Sequence, residues 1–289
     1  MTFPHLLLVL LVDAVWGFNY VAAKVGVDVI PPIWFTGIRF LIVAVLLAPA
    51  LRWRRGQMRT MLGVSIFSGV LHFALTFTGL KLAGDVSTVA IASQLGTPIA
   101  TIMAMVLLHE RVRWKRGLGI ILTIGGVAFL SFDPRVFAYI DAVILITLAS
   151  CSMAYGQILM RRLRNIGVFT AQAWIALISS PGLFLVSLIF ETGQFDSMAA
   201  ASTTVWAAAA YTAIGASVIG HGGMYYLLQR YPITLVAPML TLSPVMGVFA
   251  GIMIMGDVLT PKMIIGGLIA LAGAILTSLP EGSRRRDTA

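Results

Sequence analysis

Two stretches of this chain repeat one another at a fixed offset, and both are hydrophobic almost throughout. Subtracting 147 from the later stretch places Val236 and Ala237 on Val89 and Ala90, Asp257 on Glu110, Gly266 on Gly119 and Gly273 on Gly126. Pro244 falls on Pro98 at an offset of 146, and Tyr155-Gly156 falls on Trp16-Gly17 at 139. A register held across that many positions marks an internal duplication, with its joint near residues 132–140. If each unit crosses a bilayer an odd number of times, the two must lie inverted. A substrate site is then expected near the midplane, between them.

Composition says that a bilayer is the solvent. Of 289 residues, 59% are hydrophobic and 11% charged, where soluble domains carry about 25% charged residues. A helix needs about 20 mostly apolar residues to span the hydrocarbon. Ten runs qualify: 3–27, 31–51, 58–80, 86–108, 114–132, 138–160, 168–190, 202–228, 233–255 and 261–280. Strand-like alternation is absent from them. The expected fold is an all-α polytopic membrane protein with ten transmembrane helices in two inverted five-helix repeats. The first repeat covers 1–135 and the second 136–289, the latter ending in a short basic tail. The N-terminus lacks a basic n-region, and Asp13 interrupts its apolar run, so the first span is read as uncleaved. The single cysteine, Cys151, excludes an intrachain disulfide and metal sites built on several cysteines.

A net charge of +9 would point to nucleic acid in a soluble chain. Its distribution gives a topological reason instead. With the N-terminus placed in the cytoplasm, fifteen Lys and Arg fall on the inner side, among them Arg52, Arg54, Arg55, Arg59, Arg162 and Arg284. Four fall outside: Lys24, Lys81, Arg135 and Lys262. Basic excess marks the cytoplasmic side, so both termini are expected inside a cell (inner or plasma) membrane, with no nucleic-acid partner.

Gly119 and Gly126 stand seven apart, as do Gly266 and Gly273. Each pair shares one helix face where small residues let backbones approach in lipid, and Gly247 and Gly251 form a similar face. These glycines are read as packing. Pro98 and Pro244, at near-matching positions, each remove a backbone hydrogen bond and kink a span. The kinks are gating candidates or static bends.

Polar residues inside spans are costly and therefore informative. One stripe holds Asp13, Trp16, Gly17, Tyr20 and Lys24; another Ser65, Gly69, His72, Thr76 and Gly79. A third runs through Ser87, Ala90, Gln94, Thr97 and Thr101, and a fourth through Ala213, Ser217, His221, Tyr225 and Gln229. Four such stripes suggest a cavity. The offset strengthens this, since Gln94 pairs with Thr241, Trp16 with Tyr155, and His72 nearly with His221. The candidate cavity-lining or substrate-binding set is Trp16, Tyr20, His72, Thr76, Gln94, Tyr155, Ser217, His221, Tyr225 and Thr241. Coupling or gating candidates are Asp13, Lys24, Arg39, Pro98 and Pro244. Asp13 lies roughly 15 Å from the inner end of its span, and Arg39 has no evident acidic partner at its depth. Glu110 and Asp257 are read as neutralising the positive N-termini of the helices that follow them. Phosphate-binding glycine loops, His-Glu-x-x-His, nucleophile elbows and clustered metal ligands do not occur in the sequence, so no cofactor or metal and no enzymatic activity is expected.

Trp16-Gly-Phe-Asn-Tyr-Val-Ala-Ala-Lys24, Pro32, Gly37-Ile-Arg-Phe40, Leu-Leu-His-Glu110 and Gly117-Leu-Gly-Ile-Ile-Leu-Thr-Ile-Gly-Gly126 together resemble EamA-domain proteins of the drug/metabolite transporter superfamily. Within that superfamily the chain is most similar to YddG-type exporters of aromatic and other amino acids. The resemblance spans both halves and departs at Gly256-Asp257, where a glutamate is usual. It implies ten helices, two inverted repeats and export of a small metabolite by alternating access. The rings of Trp16, Tyr20, Tyr155 and Tyr225, with neutral donors and acceptors on Gln94, His72 and Thr76, suit an amino acid. Two readings stay open beside it: a nucleotide-sugar or organophosphate carrier, which would want more cavity cations than Arg39 and Lys24, and a lipid scramblase or intramembrane enzyme. A monomer exporting substrate down its own gradient, with Asp13 structural or modulatory, is the working expectation.

Overall fold

The computed structural model describes residues 2–108, 114–131, 138–160, 162–163, 166–228, 230, 240 and 242–278. Among them the chain is helical wherever the sequence is continuously apolar. The long helices are α1 (Phe3–Val29), α2 (Pro32–Leu47), α3 (Met58–Leu82), α4 (Val86–Ala92 continuing through a 3-10 turn into Gly96–Leu108), α5 (Trp114–Ser131), α6 (Ile140–Met160), α7 (Val168–Phe190), α8 (Thr203–Met224), α9 (Leu242–Met255) and α10 (Pro261–Ser278). A short helix, Gln194–Ala200, links α7 to α8. Six helices (α1, α2, α3, α6, α7 and α8) are long and apolar enough to cross a membrane, and the others are shorter apolar helices over the residues described.

Large aliphatic residues cover the surface, while polar residues are buried within an otherwise apolar interior. Leu11, Val45, Leu185, Ile189, Phe249, Met253 and Leu268 are exposed, while Asp13, Arg39, Ser65, Ser87, Thr123, Ser179 and Ser187 are buried. A water-soluble domain sorts them the other way. Lipid tails are as apolar as leucine, so association must come from close packing and interior hydrogen bonds.

Packing joins the first five helices to the last five through matched pairs. α2 lies against α7 and α5 against α10; α1 packs on α8 and α9, and α6 packs on α3 and α4. The α5–α10 contact is the closest. A Cβ at Gly126 would strike the Ala270 backbone nitrogen and the Gly266 carbonyl; one at Gly273 would strike the Thr123 nitrogen and the Gly119 carbonyl. The contacts are reciprocal, each seven-residue glycine pair receiving the other. The Thr123 hydroxyl donates to Gly119 O at 3.0 Å, with Ala270 O at 3.4 Å.

Two helices depart from regular winding at matching places. Ser65–Leu71 of α3 and Thr212–His221 of α8 are π-helical, and their first residues are 147 apart in the sequence. Wide turns of this kind recur at functional sites. Side chains from neighbouring helices donate to their carbonyls. Ser152 Oγ donates to Phe67 O at 2.7 Å, Ser179 Oγ to Ser65 O at 3.2 Å, and Trp16 Nε1 to Ala216 O at 3.1 Å. In α4 the 3-10 turn Ser93–Leu95 ends three residues before Pro98, whose missing N–H cannot close an α-helical bond to residue 94.

Helix ends are held by charge. Glu191 accepts from the Ile33 and Trp34 N–H groups at the start of α2. Lys24 Nζ donates to Leu80 O and Ala83 O at the end of α3 and pairs with Asp28 at 3.0 Å. Asp257 does not serve the helix that follows it, as the sequence alone suggested. Its Oδ2 accepts from Ser87 N–H and Ser87 Oγ at the start of α4. Gly256, at φ +74°, makes the left-handed turn that closes α9 and sends Asp257 back across the bundle. Glu110, Pro238, Val236 and Ala237 lie outside the described residues.

The α5–α10 contact yields a stability prediction. Gly273→Leu or Gly126→Leu must separate two backbones, and overpacking of this kind costs about 1–3 kcal/mol. Thermal unfolding in detergent should show a clear fall in Tm for either variant, and none for Gly117→Leu, where a Cβ meets open space.

Candidate functional site: a polar cavity between the two sets of helices

A cavity of about 290 Å³ lies at the centre of the bundle. Both sets of helices build it: Trp16, Asn19, Tyr20, Arg39, His72, Phe73, Thr76, Phe77 and Ser93 from α1–α4, and Ser150, Met153, Gln157, Ala216, His221 and Ser243 from α6, α8 and α9. A satellite pocket of about 40 Å³ shares the wall formed by Phe73, Met153 and His221 and reaches Gln172 and Ser217.

The two wide turns position the histidines. α3 leaves its π-helical segment at His72, whose backbone N–H still reaches Phe67 O; in α8 the segment ends at His221 itself. His72 Nδ1 lies 2.9 Å from Ala149 O and His221 Nδ1 lies 2.9 Å from Ala216 O. A carbonyl can only accept, so Nδ1 donates in both rings. His221 packs edge-on to Trp16 at 5.1 Å, and Phe73 stands edge-on to both histidines.

Arg39 is 1% exposed. Its Nε donates to Ser217 Oγ at 2.9 Å, its guanidinium carbon stands 4.6 Å from the centre of the Phe73 ring, and Nη1 has no hydrogen-bond partner. Cation–π contact and one hydrogen bond hold the charge without a carboxylate. Tyr20 and Ser93 hydroxyls lie 2.8 Å apart, and Ser93 Oγ donates to Ala90 O, so the tyrosine is the donor between them. This bond ties α1 to the 3-10 turn of α4.

Among the candidates named from the sequence, Trp16, Tyr20, His72, Thr76, His221 and Arg39 line the central cavity. Ser217 lines the satellite pocket beside Arg39. Gln94 is 5% exposed and sits behind the wall, because the 3-10 turn brings Ser93 and Gly96 to the cavity instead. Tyr155 stacks edge-on against Phe67 at 4.6 Å, as Trp16 packs on α8. Lys24 is not part of the cavity wall and holds the end of α3 through Leu80 O and Ala83 O. Asp13 is fully buried, with no hydrogen-bond partner for either oxygen among the described residues. Pro98 stands one turn beyond the 3-10 segment, and Pro244 lies near the start of described α9. Thr241 and the side chain of Tyr225 lie outside the described residues.

Asn19, Ser93, Ser150, Gln157 and Ser243 also reach the cavity and were not singled out from the sequence. Asn19 and Gln157 carried a usable signal, since both are amides within apolar spans. Small hydroxyls such as Ser150 do not, because a serine can satisfy itself on its own helix, as Ser150 Oγ does on Ile146 O.

Comparison with known proteins gives the class to which this helical bundle with its central cavity belongs. The EamA-like transporter family model matches residues 4–132 and again 141–279, so the chain belongs to the EamA-like transporter family and is a multi-pass membrane protein. It is 28% identical over 290 residues to a probable amino-acid metabolite efflux pump of Salmonella typhimurium, covering 98% of this chain and 96% of that one. A probable amino-acid metabolite efflux pump of Escherichia coli is 26% identical over 274 residues, at 92% of each. An uncharacterized inner membrane transporter of the same species, YedA, is 24% identical, covering 91% of this chain and 87% of its own. One crystal structure shares the fold with a TM-score of 0.66 at 16% identity, over 96% of both chains.

The cavity wall has a direct test. With Cys151→Ser as background, Thr76→Cys should react with a small methanethiosulfonate reagent and Gln94→Cys should not. Equal labelling of the two would mean that the wall has been drawn in the wrong place.

Proposed function

We propose that this protein exports amino acids, aromatic and other neutral ones, by alternating access of the central cavity. The observation that carries the reading is the cavity itself. It is built jointly by the two sets of helices, with aromatic walls and a few dispersed polar groups, which is the chemistry of a site for small amphipathic ligands. The names of the Salmonella typhimurium and Escherichia coli relatives support an amino-acid class of substrate. A nucleotide-sugar or organophosphate would call for several cations, and among the described residues Arg39 is the lysine or arginine that lines the cavity.

In this reading the chain forms ten spans in two inverted repeats, 1–135 and 136–289. The duplicated register, the double family match and the matched helix pairs support it: a pseudo-twofold axis brings α2 to α7, α5 to α10, and α1 to α8 where α6 meets α3. Trp16, Tyr20, His72, Thr76 and His221 bind substrate, with Ser217 behind Arg39 and with Tyr225 and Thr241 completing the polar set; Gln94 and Tyr155 support the wall from behind. Pro98 and Pro244 give α4 and α9 their bends, and rocking of the repeats opens the cavity alternately. Lys24 closes one end. Asp13 is structural or modulatory, and transport follows the substrate's own gradient. Both termini face the cytoplasm, as the basic excess requires.

Purified protein in proteoliposomes should exchange labelled amino acids against an unlabelled pool, and Trp16→Ala should cut the rate at least about tenfold while leaving the protein folded, one lost substrate contact of about 1.4 kcal/mol. Folded protein that exchanges no member of a twenty-amino-acid panel would refute the reading. For topology, a cysteine at Arg54 should be labelled from the cytoplasmic side and one at Asp196 from the opposite side. The reverse pattern would invert the assignment.

A further inference from the structure

We propose that the cavity recognises the charged head of an amino acid at two poles, with Arg39 taking the carboxylate and Asn19 the ammonium group. The proposal rests on the export reading above and specifies how its substrate is held. Among the described residues that line the cavity, two carry a buried polar atom without a hydrogen-bond partner: Nη1 of Arg39, a donor, and Oδ1 of Asn19, an acceptor. Their polarities are opposite, as those of an amino acid's two ends are.

Arg39 is the stronger half of the case. A guanidinium is permanently charged and presents its N–H groups in the plane of the group. Ser217 accepts from Nε and Phe73 covers one face, so the side chain is oriented while its other edge is left over. The ion pair present among the described residues joins Lys24 to Asp28, and no carboxylate of the chain meets Arg39 there. If Arg39 only clamped α2 to α8, a hydrophobic side chain of similar volume would serve as well or better, because burying a charge is expensive. A buried cation lacking its counter-ion, on a side chain that lines a cavity, is accounted for when the counter-ion is the ligand. The aromatic rings of Trp16, Phe73 and Phe77 then receive the apolar body.

Asn19 stands on α1, three residues from Trp16 and next to Tyr20, both of which line the same cavity. A neutral amide oxygen accepts from an ammonium without the desolvation burden of a second buried charge. In this arrangement the substrate carboxylate pairs with the arginine, and the substrate ammonium is left to neutral acceptors, Asn19 Oδ1 among them.

The test uses the amino acid that gives the largest counterflow in the panel above, its carboxamide and its N-acetyl derivative as competitors, at about pH 6, where the α-amine stays protonated. Wild type should prefer the acid over the carboxamide, and the free amine over the N-acetyl form, each by about tenfold or more. Arg39→Gln should erase the first preference and keep the second; Asn19→Leu should do the opposite. Arg39→Lys should restore part of the first. A merely structural Arg39 would lower flux while leaving the acid-to-amide ratio unchanged, and that result overturns the proposal. Wild type alone decides the matter if the variants do not fold, because equal competition by the carboxamide overturns it. Competition by a phosphate monoester as strong as that of the acid also overturns the carboxylate assignment. Wild type that exchanges no amino acid refutes the export reading and this inference with it, whereas exchange without discrimination refutes the inference alone.

Discussion

The wide turns of α3 and α8 receive side-chain donors from neighbouring helices on their carbonyls, and these bonds tie much of the interior together. In hydrocarbon an unsatisfied backbone group costs several kcal/mol. Ser152 of α6 and Ser179 of α7 serve α3, and Trp16 of α1 and Gln172 of α7 serve α8. These bonds link helices distant in the chain, and the same turns bring His72 and His221 to the cavity. A geometrical defect in two helices thus becomes the means of joining them to their neighbours and of making a polar site.

Glycine supplies the complementary constraint. With no hydrophobic force between helices in lipid, attraction depends on how closely surfaces fit. Gly119, Gly126, Gly266 and Gly273 let α5 and α10 meet backbone to backbone. Gly17 does the same for α1, where a Cβ would strike Met246 and the Gly247 nitrogen of α9. Gly220 and Gly247 admit the rings of Trp16 and Tyr20, so glycine also seats side chains of the cavity wall.

Charged residues divide into two roles. Those at helix ends complete hydrogen bonds that the helices leave open, as Glu191 does for α2, Asp257 for α4 and Lys24 for α3. Asp257 and Ser87 lie 170 residues apart, so one such bond couples the first set of helices to the last. Arg39, within α2, has no such role at a helix end. Because a buried charge is costly, its retention deep in the bundle is the feature that chemistry rather than architecture has to explain.

Periodicity and composition determined a great deal here. Apolar runs of span length located the described helices within a few residues, the start of the ninth run lying outside the described residues, and glycines seven apart identified packing faces, because both properties are local to one helix. Individual polar residues such as His72, Thr76 and Trp16 could be named as interior for the same reason. The tertiary structure decided which side of the wall each polar residue occupies. A stripe drawn at 3.6 residues per turn fails across Ser65–Leu71 and Thr212–His221, where wide turns rotate the register, and across Ser93–Leu95, where a tight turn buries Gln94 and presents Ser93. It also decided partners: that Asp257 reaches back to α4, that the two glycine faces meet each other, and that Arg39 finds a ring and a serine in place of a carboxylate. Winding defects and contacts between remote segments depend on the neighbouring helices, so a pattern read along one helix cannot contain them.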